Sequence, residues 1–263
     1  MSLAANLTVI IITFNEEDNI ARTLAALSWA SNILVIDSGS TDQTLDLLNR
    51  DGRVCVIRRA FDTFAGQCNF ALDHVRTKWV LSLDADYELS NALGDEICAL
   101  ANNAAIAGFA ARFVYRVYGR PLRSSLYPPR CILYQRDRAH YVDEGHGHRV
   151  EIEGKVEMLR HVIYHDDRKP LSRWLSAQIR YARAEATLLL STDRAKLKLI
   201  DRLRLYGLPA PPVVLLYVLF VRGCVFDGRS GWFYALQRFA FEIVLMLELL
   251  DRRLSQSKPQ TGN

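Results

Sequence analysis

The chain has 263 residues, of which 50% are hydrophobic and 24% are charged, and its formal net charge at pH 7 is +4. This composition excludes a disordered chain and predicts one large folded domain, or one domain with an appendage. The charge is too small to indicate a nucleic-acid-binding protein. Five cysteines without a C-x-x-C pair favour free thiols in a reducing, cytoplasmic compartment. No signal peptide is expected, because no basic residues precede the N-terminal apolar run.

The first hundred residues alternate between strand-like and helix-like segments. Residues 7–13 form a β-branched run with the length of a central parallel strand, and Asn15 is expected to cap a helix that carries Ile20 and Leu24 on one face. Further strands are expected at residues 33–36, 54–57 and 79–83, with a short helix after the second strand and a helix over residues 66–75. Such alternation predicts parallel βαβ units, which bind ligands at the carboxyl ends of their strands.

The pattern changes after residue 105. Residues 109–118, 132–134 and 158–165 have strand-like patterns, residues 170–206 have a helical one, and the chain is then strongly apolar as far as Leu250. We therefore expect an α/β domain over residues 1–168 and a helical C-terminal region over residues 169–263.

Polar side chains follow three of the predicted strands at the points where the strands end. They are Thr13, Asn15 and Glu16, then Asp37, and then Asp84 and Asp86. Neither a G-x-G-x-x-G dinucleotide fingerprint nor a G-x-x-x-x-G-K-[ST] phosphate loop occurs in the chain. Carboxylates repel phosphate unless a divalent cation lies between them, so this pattern favours Mg or Mn shared with a diphosphate. In the alternative interpretation, Asp86 caps the next helix and Asp84 is a turn residue.

Three segments in this order resemble the family-2 inverting glycosyltransferases, which have the nucleotide-sugar fold called GT-A. They are "VIIITFNEEDNIARTL", "ILVIDSGSTDQT" and "WVLSLDADYEL". The later segments "VDEGHGHRV" and "YHDDRKPLSRWLSAQIRYARAEA" are similar to a bacterial branch that includes lipopolysaccharide-core sugar transferases. The resemblance implies a GT-A-like α/β fold, with a mostly parallel, Rossmann-like sheet between helices and a C-terminal helical, apolar segment. Residues 1–168 would then be the nucleotide-sugar-binding and catalytic domain.

The resemblance also implies the donor-binding residues. Thr13, Asn15 and Glu16 would line the base and ribose of the nucleotide, and Asp37 would accept a hydrogen bond from the base. Asn69 matches an asparagine that family members carry on the helix before the metal-binding strand. The position before it, which is usually basic in the family, is Cys68 here.

The same resemblance assigns the metal site. Asp86 would coordinate Mg or Mn together with the diphosphate, and Asp84 would contact the ribose or the metal-bound water. From the residues themselves, His165 is expected to complete the metal shell or to contact the diphosphate. Five of the six histidines lie between His140 and His165, and a zinc hydrolase using His146 and His148 is an alternative, although no H-E-x-x-H spacing supports it.

An inverting transfer requires a base that takes the proton of the acceptor hydroxyl. The acids in "YVDEGHGH" are the candidates, and Glu144 is favoured over Asp143. In the alternative interpretation, one of these acids caps a helix or forms an ion pair with Arg149.

The C-terminal region predicts contact with a membrane surface. Its first helical segment is basic and amphipathic, a pattern that is also typical of a solvated face over a packed core. The apolar run at residues 213–221 is shorter than the roughly 20 residues that a spanning helix needs. We therefore expect peripheral attachment to the inner face of the cytoplasmic membrane, with packing in an oligomer as the competing use of the same surface.

These observations predict a metal-dependent, inverting glycosyltransferase. It would move a sugar from a nucleotide-sugar donor, with a UDP-sugar expected, to a hydroxyl of a cell-envelope glycan or glycolipid such as the lipopolysaccharide core. One alternative is a polyprenyl-phosphate sugar transferase, whose anionic acceptor needs no base. Another is a non-catalytic nucleotide-sugar-binding protein that docks at membranes.

Overall fold

The computed structural model describes residues 3–144 and 147–256. The strands are β1 Leu7–Thr13, β2 Ile33–Asp37, β3 Val54–Arg58, β4 Trp79–Asp84, β5 Tyr87–Leu89, β6 Ile106–Val117, β7 Arg120–Pro121, β8 Arg130–Gln135, β9 Ala139–Glu144, β10 Gly147–Ile152 and β11 Lys155–His165. The α-helices are α1 Ile20–Ala25, α2 Thr44–Asn49, α3 Phe64–His74, α4 Asn91–Ala99, α5 Leu171–Ser191, α6 Leu199–Tyr206, α7 Ala210–Leu216 and α8 Gly228–Gln256. The chain divides into two compact units, one running to Pro121 and including 126–169, the other comprising 122–125 and the chain from Pro170 onward.

The first unit is built around a mixed sheet with the strand order β3-β2-β1-β4-β8-β6-β11-β5. The strands β3, β2, β1 and β4 are parallel to their neighbours, as are β6 and β11. Antiparallel pairing occurs where β8 lies between β4 and β6, and where β5 joins β11. The expected α/β fold with a largely parallel sheet is therefore confirmed.

Both faces of the parallel strands are covered, which explains the continuous β-branched run of β1. Val9 and Ile11 are fully buried on one face, where they join a core that also includes residues of α1 and α4. Ile10 is fully buried on the other face with residues of α3. Helices on both sides of a parallel sheet leave the carboxyl ends of its strands as the open edge.

The segment after β1 differs from its prediction. Asn15 does not cap a helix, because it adopts the left-handed conformation with φ of 54° and α1 begins only at Ile20. Asparagine tolerates this conformation better than most residues do. A second difference is the β9–β10 hairpin, an antiparallel pair formed by the polar, histidine-rich stretch for which no strand was expected.

The second unit is mainly helical. Ala182, Ala186 and Leu189 of α5 pack with Phe241 and Leu245 of α8, so that the 3-and-4 spacing of small and apolar residues forms its core. No single helix in the described chain is long and apolar enough to cross a membrane. A pair formed by Ala210–Val221 and Cys224–Ser255, bent by 70°, meets the criteria of length and composition together.

Candidate active site

The parallel register brings the polar strand ends together at one edge of the sheet. Thr13 of β1 pairs with Asp37 of β2, and Ile12 pairs with Asp84 of β4. The predicted convergence of Thr13, Asp37 and Asp84 is therefore a direct result of strand pairing. The hydroxyl of Thr13 is buried and has no hydrogen-bond partner among the residues that the structure describes.

Asp37 organises the turn after β2. Its carboxylate is fully buried and accepts hydrogen bonds from the backbone N–H groups of Gly39, at 2.9 Å, and Ser40, at 3.0 Å. Gly39 has φ of 95°, a conformation in which a residue with a side chain would be strained. The acid thus fixes the backbone that borders the Thr13 end of β1.

Asn15 and Glu16 tie the loop after β1 to this same turn. The N–H of Asn15 donates to Ser40 Oγ at 2.8 Å, and the N–H of Thr41 donates to Asn15 Oδ1 at 2.7 Å. The N–H of Glu16 donates to Thr44 Oγ1 at 2.6 Å. These bonds hold the two loops as one border of the site.

Asp86 lies at the centre of a partly buried charged cluster. Its Oδ2 lies 3.3 Å from His165 Nε2 and 3.6 Å from Lys169 Nζ. Lys169 Nζ also lies 2.7 Å from Glu16 Oε1 and 3.4 Å from Asp167 Oδ1. The predicted residues Glu16, Asp86 and His165 are therefore brought together, and Lys169 joins them.

Burial and the neighbouring charges shift the pKa values of the cluster in opposite directions. Burial and the nearby Asp86 charge raise the pKa of Glu16 to about 7. Burial alone would raise the pKa of Asp86, but the charges of His165 and Lys169 outweigh it and hold that pKa well below its usual range. Burial would lower the pKa of His165, but Asp86 outweighs burial and raises it. Asp86 is thus held in its ionised form, as a cation ligand must be.

Three tyrosine rings surround the imidazole of His165. The ring centroids lie 5.2 Å away for Tyr87, 4.9 Å for Tyr115 and 5.2 Å for Tyr127, all in edge-to-face arrangements. The hydroxyls of Tyr87 and Tyr127 are hydrogen-bonded to each other. This packing fixes the orientation in which Nε2 faces Asp86.

The donor atoms available fit a divalent cation that shares its shell with a diphosphate. Asp86 Oδ1 is buried and has no partner among the described residues. The Asp84 carboxylate forms no hydrogen bond or ion pair within residues 3–144 and 147–256. No group of three histidine, cysteine or acidic residues close enough to hold a metal by itself is present in those ranges. Mg and similar cations commonly use one or two protein ligands and complete their shell with water and phosphate oxygens.

The two acids expected to act as base lie on β9 and are exposed. Asp143 Oδ1 accepts a long hydrogen bond of 3.4 Å from the N–H of Ala65, at the start of α3. Glu144 Oε1 lies 3.5 Å from Arg149 Nε. Each acid thus has a contact of the kind that the alternative interpretation expects. Asp143 bonds to the start of a helix, and Glu144 lies near Arg149.

Arg130 interacts electrostatically with both Glu144 and Asp84, the acid at the end of β4. Desolvation acts to lower the pKa of Arg130, but Tyr127, Tyr87, Asp84 and Glu144 outweigh it and raise that pKa. Arg130 also stacks over the Tyr127 ring, with 4.6 Å between its guanidinium carbon and the ring centroid. Glu144 and Asp84 therefore share the electrostatic neighbourhood of one arginine.

Asn69 connects α3 to β9. Its Nδ2 donates to the carbonyl of Tyr141 at 2.9 Å, and its Oδ1 accepts from the N–H of Tyr141 at 2.9 Å. The side chain predicted to contact the donor thus holds the strand that carries Asp143 and Glu144. Among the zinc-site candidates, His148 packs against Tyr141 at 5.3 Å between ring centroids, and His146 lies outside the described residues.

A second network, centred on the buried Asp166, lies beside the cluster and has no recognisable pattern in the sequence. Asp166 is fully buried and accepts hydrogen bonds from Arg22 at 3.3 Å, from Arg168 at 2.8 Å and from the N–H of Gly119 at 3.0 Å. Arg22 also donates to the Asp166 carbonyl at 2.9 Å. These bonds fix the segment that supplies His165 and Lys169. The run "HDDRK" contains two acids followed by two bases, but their partners, such as Arg22, are too distant in sequence to be recognised.

Residues 8–151 match the family described as Glycosyl transferase family 2. The chain belongs to this family. The glycosyltransferase class expected from the sequence is therefore confirmed at the level of the family.

Several relatives carry the same class of name. The chain is 24% identical to the lipopolysaccharide core biosynthesis glycosyltransferase LpsC of Rhizobium meliloti (strain 1021) over 271 residues, covering 98% of this chain and 96% of that protein. It is 37% identical to the uncharacterized glycosyltransferase RC0292 of Rickettsia conorii over 97 residues, or 36% of this chain and 34% of the relative. The alignment with RT0209 of Rickettsia typhi, at 28% identity, covers 60% of this chain and 59% of the relative.

Solved structures with similarity to the chain include two proteins that were crystallised with a uridine nucleotide. One is glucosyl-3-phosphoglycerate synthase from Mycobacterium tuberculosis with Mg²⁺ and UDP, at 18% identity and a TM-score of 0.49, covering 71% of this chain and 81% of that one. The other is S. aureus TarS 1–349 with UDP-GlcNAc, at 13% identity and a TM-score of 0.47, covering 95% and 92%.

Proposed function

We propose that this family 2 protein transfers a sugar from a nucleotide-sugar donor, with inversion at the anomeric carbon, to a hydroxyl of a cell-envelope glycan or glycolipid. The observation that carries the proposal is the parallel register that sets Thr13 beside Asp37 and Ile12 beside Asp84. It collects the polar strand ends next to the partly buried pair of Asp86 and His165. Ligands of doubly wound sheets bind at such an edge.

The donor would lie along the border formed by the loops after β1 and β2. The buried Thr13 hydroxyl, which lacks a partner among the described residues, is available to a ligand. Asp37 would accept a bond from the base, while Asn15 and Glu16 would keep the two loops at a fixed distance around the nucleotide. Asp84, with its carboxylate unpaired within the described chain, would contact the ribose. A UDP-sugar is the expected donor.

Asp86 and His165 would hold a Mg or Mn ion together with the diphosphate. When bound, the cation would neutralise the charge of the leaving nucleotide diphosphate. Lys169 keeps Asp86 ionised and lies close enough to attract the same diphosphate. The tyrosines around His165 would keep its ring in the orientation that directs Nε2 toward the site.

Glu144 would take the proton of the acceptor hydroxyl as that oxygen bonds the anomeric carbon and the bond from this carbon to the diphosphate oxygen breaks. Its exposure leaves it accessible to an acceptor, and its Oε1 lies 3.5 Å from Arg149 Nε. Asp143 is the second candidate. Its bond to the start of α3 ties it to the protein scaffold.

The acceptor is proposed to be a lipopolysaccharide-core sugar. LpsC, which the chain matches over nearly its full length, is named as a lipopolysaccharide core biosynthesis glycosyltransferase. A lipid-borne acceptor is met at a membrane, so we place the protein at the inner face of the cytoplasmic membrane as a peripheral protein.

Calorimetric titration with UDP, and with GDP for comparison, tests the donor site. The titrations are run with and without Mn²⁺ on the wild type, on Asp86→Asn and on Asp73→Asn, an exposed acid on α3 that serves as control. We expect Mn²⁺-dependent UDP binding that Asp86→Asn weakens and Asp73→Asn preserves. Absence of binding of either nucleotide in the presence of Mn²⁺ would overturn the proposal.

Measurement of sugar transfer and of donor hydrolysis separates the proposed function from its alternatives. A non-catalytic binding protein would bind UDP without transferring or hydrolysing the sugar. A polyprenyl-phosphate sugar transferase would retain its rate in both Glu144→Gln and Asp143→Asn, because an anionic acceptor has no proton to lose.

A further inference from the structure

Residues 208–221 of the second unit, here called the apolar segment, contain no charged side chain. They comprise the end of a turn, the helix α7 and a π-helical turn over Tyr217–Val221. Their sequence, "LPAPPVVLLYVLFV", has apolar residues on every side of the helix axis. A helix of that kind is typical of a protein core or of an apolar environment such as a bilayer.

One side of the apolar segment is already packed against its own unit. Ala210, Val214 and Val218 are buried, at the 4-residue spacing of one helix face. The core of the unit therefore accounts for this face alone. The apolar side chains on the opposite face need another explanation.

That opposite face is exposed and remains apolar along its whole length. The exposed fractions are 77% for Leu208, 45% for Val213, 53% for Leu216, 62% for Phe220 and 72% for Val221. Single exposed apolar residues are ordinary, but a continuous apolar helix face marks an interaction site. A helix face in contact with water would carry polar or charged residues at these positions.

The length of the segment decides how it can meet a bilayer. The helical part, Ala210–Val221, is far shorter than the roughly 20 residues needed to cross the hydrocarbon core. It is separated from the next helical stretch by a bend of 70°. A short apolar helix of this kind fits the interface, where one face enters the acyl region and the other stays on the protein.

Exposed cations occur in the sequence on both sides of the apolar segment. Lys196 and Lys198 precede it, Arg229 follows it, and all three are exposed. None of them forms an ion pair with a described residue. Tyr206 and Trp232, with exposed fractions of 79% and 45%, add amphipathic rings of the type that favour the headgroup level. Unpaired cations and interfacial aromatics that precede and follow an apolar face in the sequence match an anionic bilayer better than a second protein surface.

We propose that the outer face of the apolar segment inserts into the headgroup and upper acyl region of an anionic membrane, with the flanking cations on lipid phosphates. This proposal rests on the proposed function, which places the protein at a membrane. It adds the residues that make the contact. It anchors the protein without crossing the bilayer.

Vesicle co-sedimentation of the full chain tests the proposal. The vesicles are phosphatidylcholine alone, or phosphatidylcholine mixed with phosphatidylglycerol. The variants are Phe220→Glu and, as a matched control, Met158→Glu, which makes the same change at a residue of β11 that is 54% exposed. Leu216→Glu replaces Phe220→Glu if that variant does not fold, as judged by circular dichroism.

We expect wild type and Met158→Glu to bind the anionic vesicles equally, and Phe220→Glu to bind at least about tenfold more weakly. High salt should weaken the wild-type binding. Vesicle binding that Phe220→Glu leaves unchanged would overturn the proposal. Absence of wild-type binding to the anionic vesicles would overturn it too. A concentration-dependent oligomer that Phe220→Glu converts to monomers, without vesicle binding, would instead assign the face to self-association. UDP titration of the same samples without vesicles separates failure of this surface from failure of the donor site.

Discussion

His165 Nε2 lies 3.3 Å from Asp86 Oδ2, although the two residues are 79 positions apart in the chain. The contact joins the end of β11 to the turn between β4 and β5, because β5 pairs with β11 and places Tyr87 opposite His165. A three-residue strand thus brings the proposed metal ligands together.

Replacement of His165 should therefore weaken cation-dependent nucleotide binding while the protein remains folded. We expect His165→Asn to weaken Mn²⁺-dependent UDP binding by about 10- to 100-fold, the loss typical of a changed metal environment. Affinity for UDP without metal should change little. Calorimetry with increasing Mn²⁺ measures the effect, and His140→Asn, which changes an exposed histidine on β9, is the control. Equal losses with and without metal would contradict the assignment.

Glu144 is expected to act in the chemical step. Its replacement by Gln keeps the size of the side chain but removes the base, so kcat should fall by about 10²- to 10⁴-fold while the donor KM stays nearly constant. Initial-rate kinetics with the sugar acceptor provide both constants. Glu151→Gln is a suitable control, since Glu151 also pairs with Arg149, at 2.9 Å. A loss in Asp143→Asn but none in Glu144→Gln would transfer the role to Asp143.

Asn69 is expected to act through the position of β9. Its two hydrogen bonds to the Tyr141 backbone are partly buried, so Asn69→Ala should cost about 1–3 kcal/mol in the free energy of unfolding. It should also lower kcat, because the released strand carries both acids. Urea denaturation and kinetics of the same variant measure the two effects. Asn49→Ala, at an exposed site, should change neither.

Glu96 should give the protein a measurable stability dependence on acid pH. Its carboxylate accepts bonds from the N–H groups of Arg160, at 2.9 Å, and His161, at 3.1 Å, in the irregular part of β11. Burial alone would raise its pKa, but these bonds outweigh burial and lower it. Because the folded-state pKa lies below the unfolded value, the stabilisation is present above the unfolded pKa and disappears as pH falls through the folded one.

Glu96→Gln tests this dependence. The variant should be roughly 1–2 kcal/mol less stable than wild type at neutral pH, and the difference should shrink as the solution is acidified below the unfolded pKa of glutamate. Urea denaturation across that pH range measures it. A difference that stays constant with pH would mean that the loss arises from packing and not from the ionised carboxylate.

The position of the strand ends could be predicted because local patterns determine them. The apolar run of β1 followed by Thr13, and the run of β4 followed by Asp84, are visible in the sequence, and parallel pairing then requires these ends to meet. The short strand β5 could not be recognised. Its three residues show too little periodicity, and its pairing with β11 depends on a distant segment.

The role of Asn69 illustrates the same division. The family resemblance points to this residue on the helix before β4, but the backbone that its amide contacts lies 72 residues later. Lys169 gave no signal at all in the sequence, since a lysine after two acids is common on any surface. Only the folded chain shows that it neutralises Glu16 and Asp86.

The sequence by itself determined the family, the α/β alternation and the acids at the strand ends, because these depend on residues that are neighbours along the chain. Only the tertiary structure decided which charges lie together, which side chains form hydrogen bonds with distant backbone groups and which apolar face remains exposed. Such properties arise from contacts between segments brought together by burial of the core, and hydrophobic periodicity does not encode the identity of those partners.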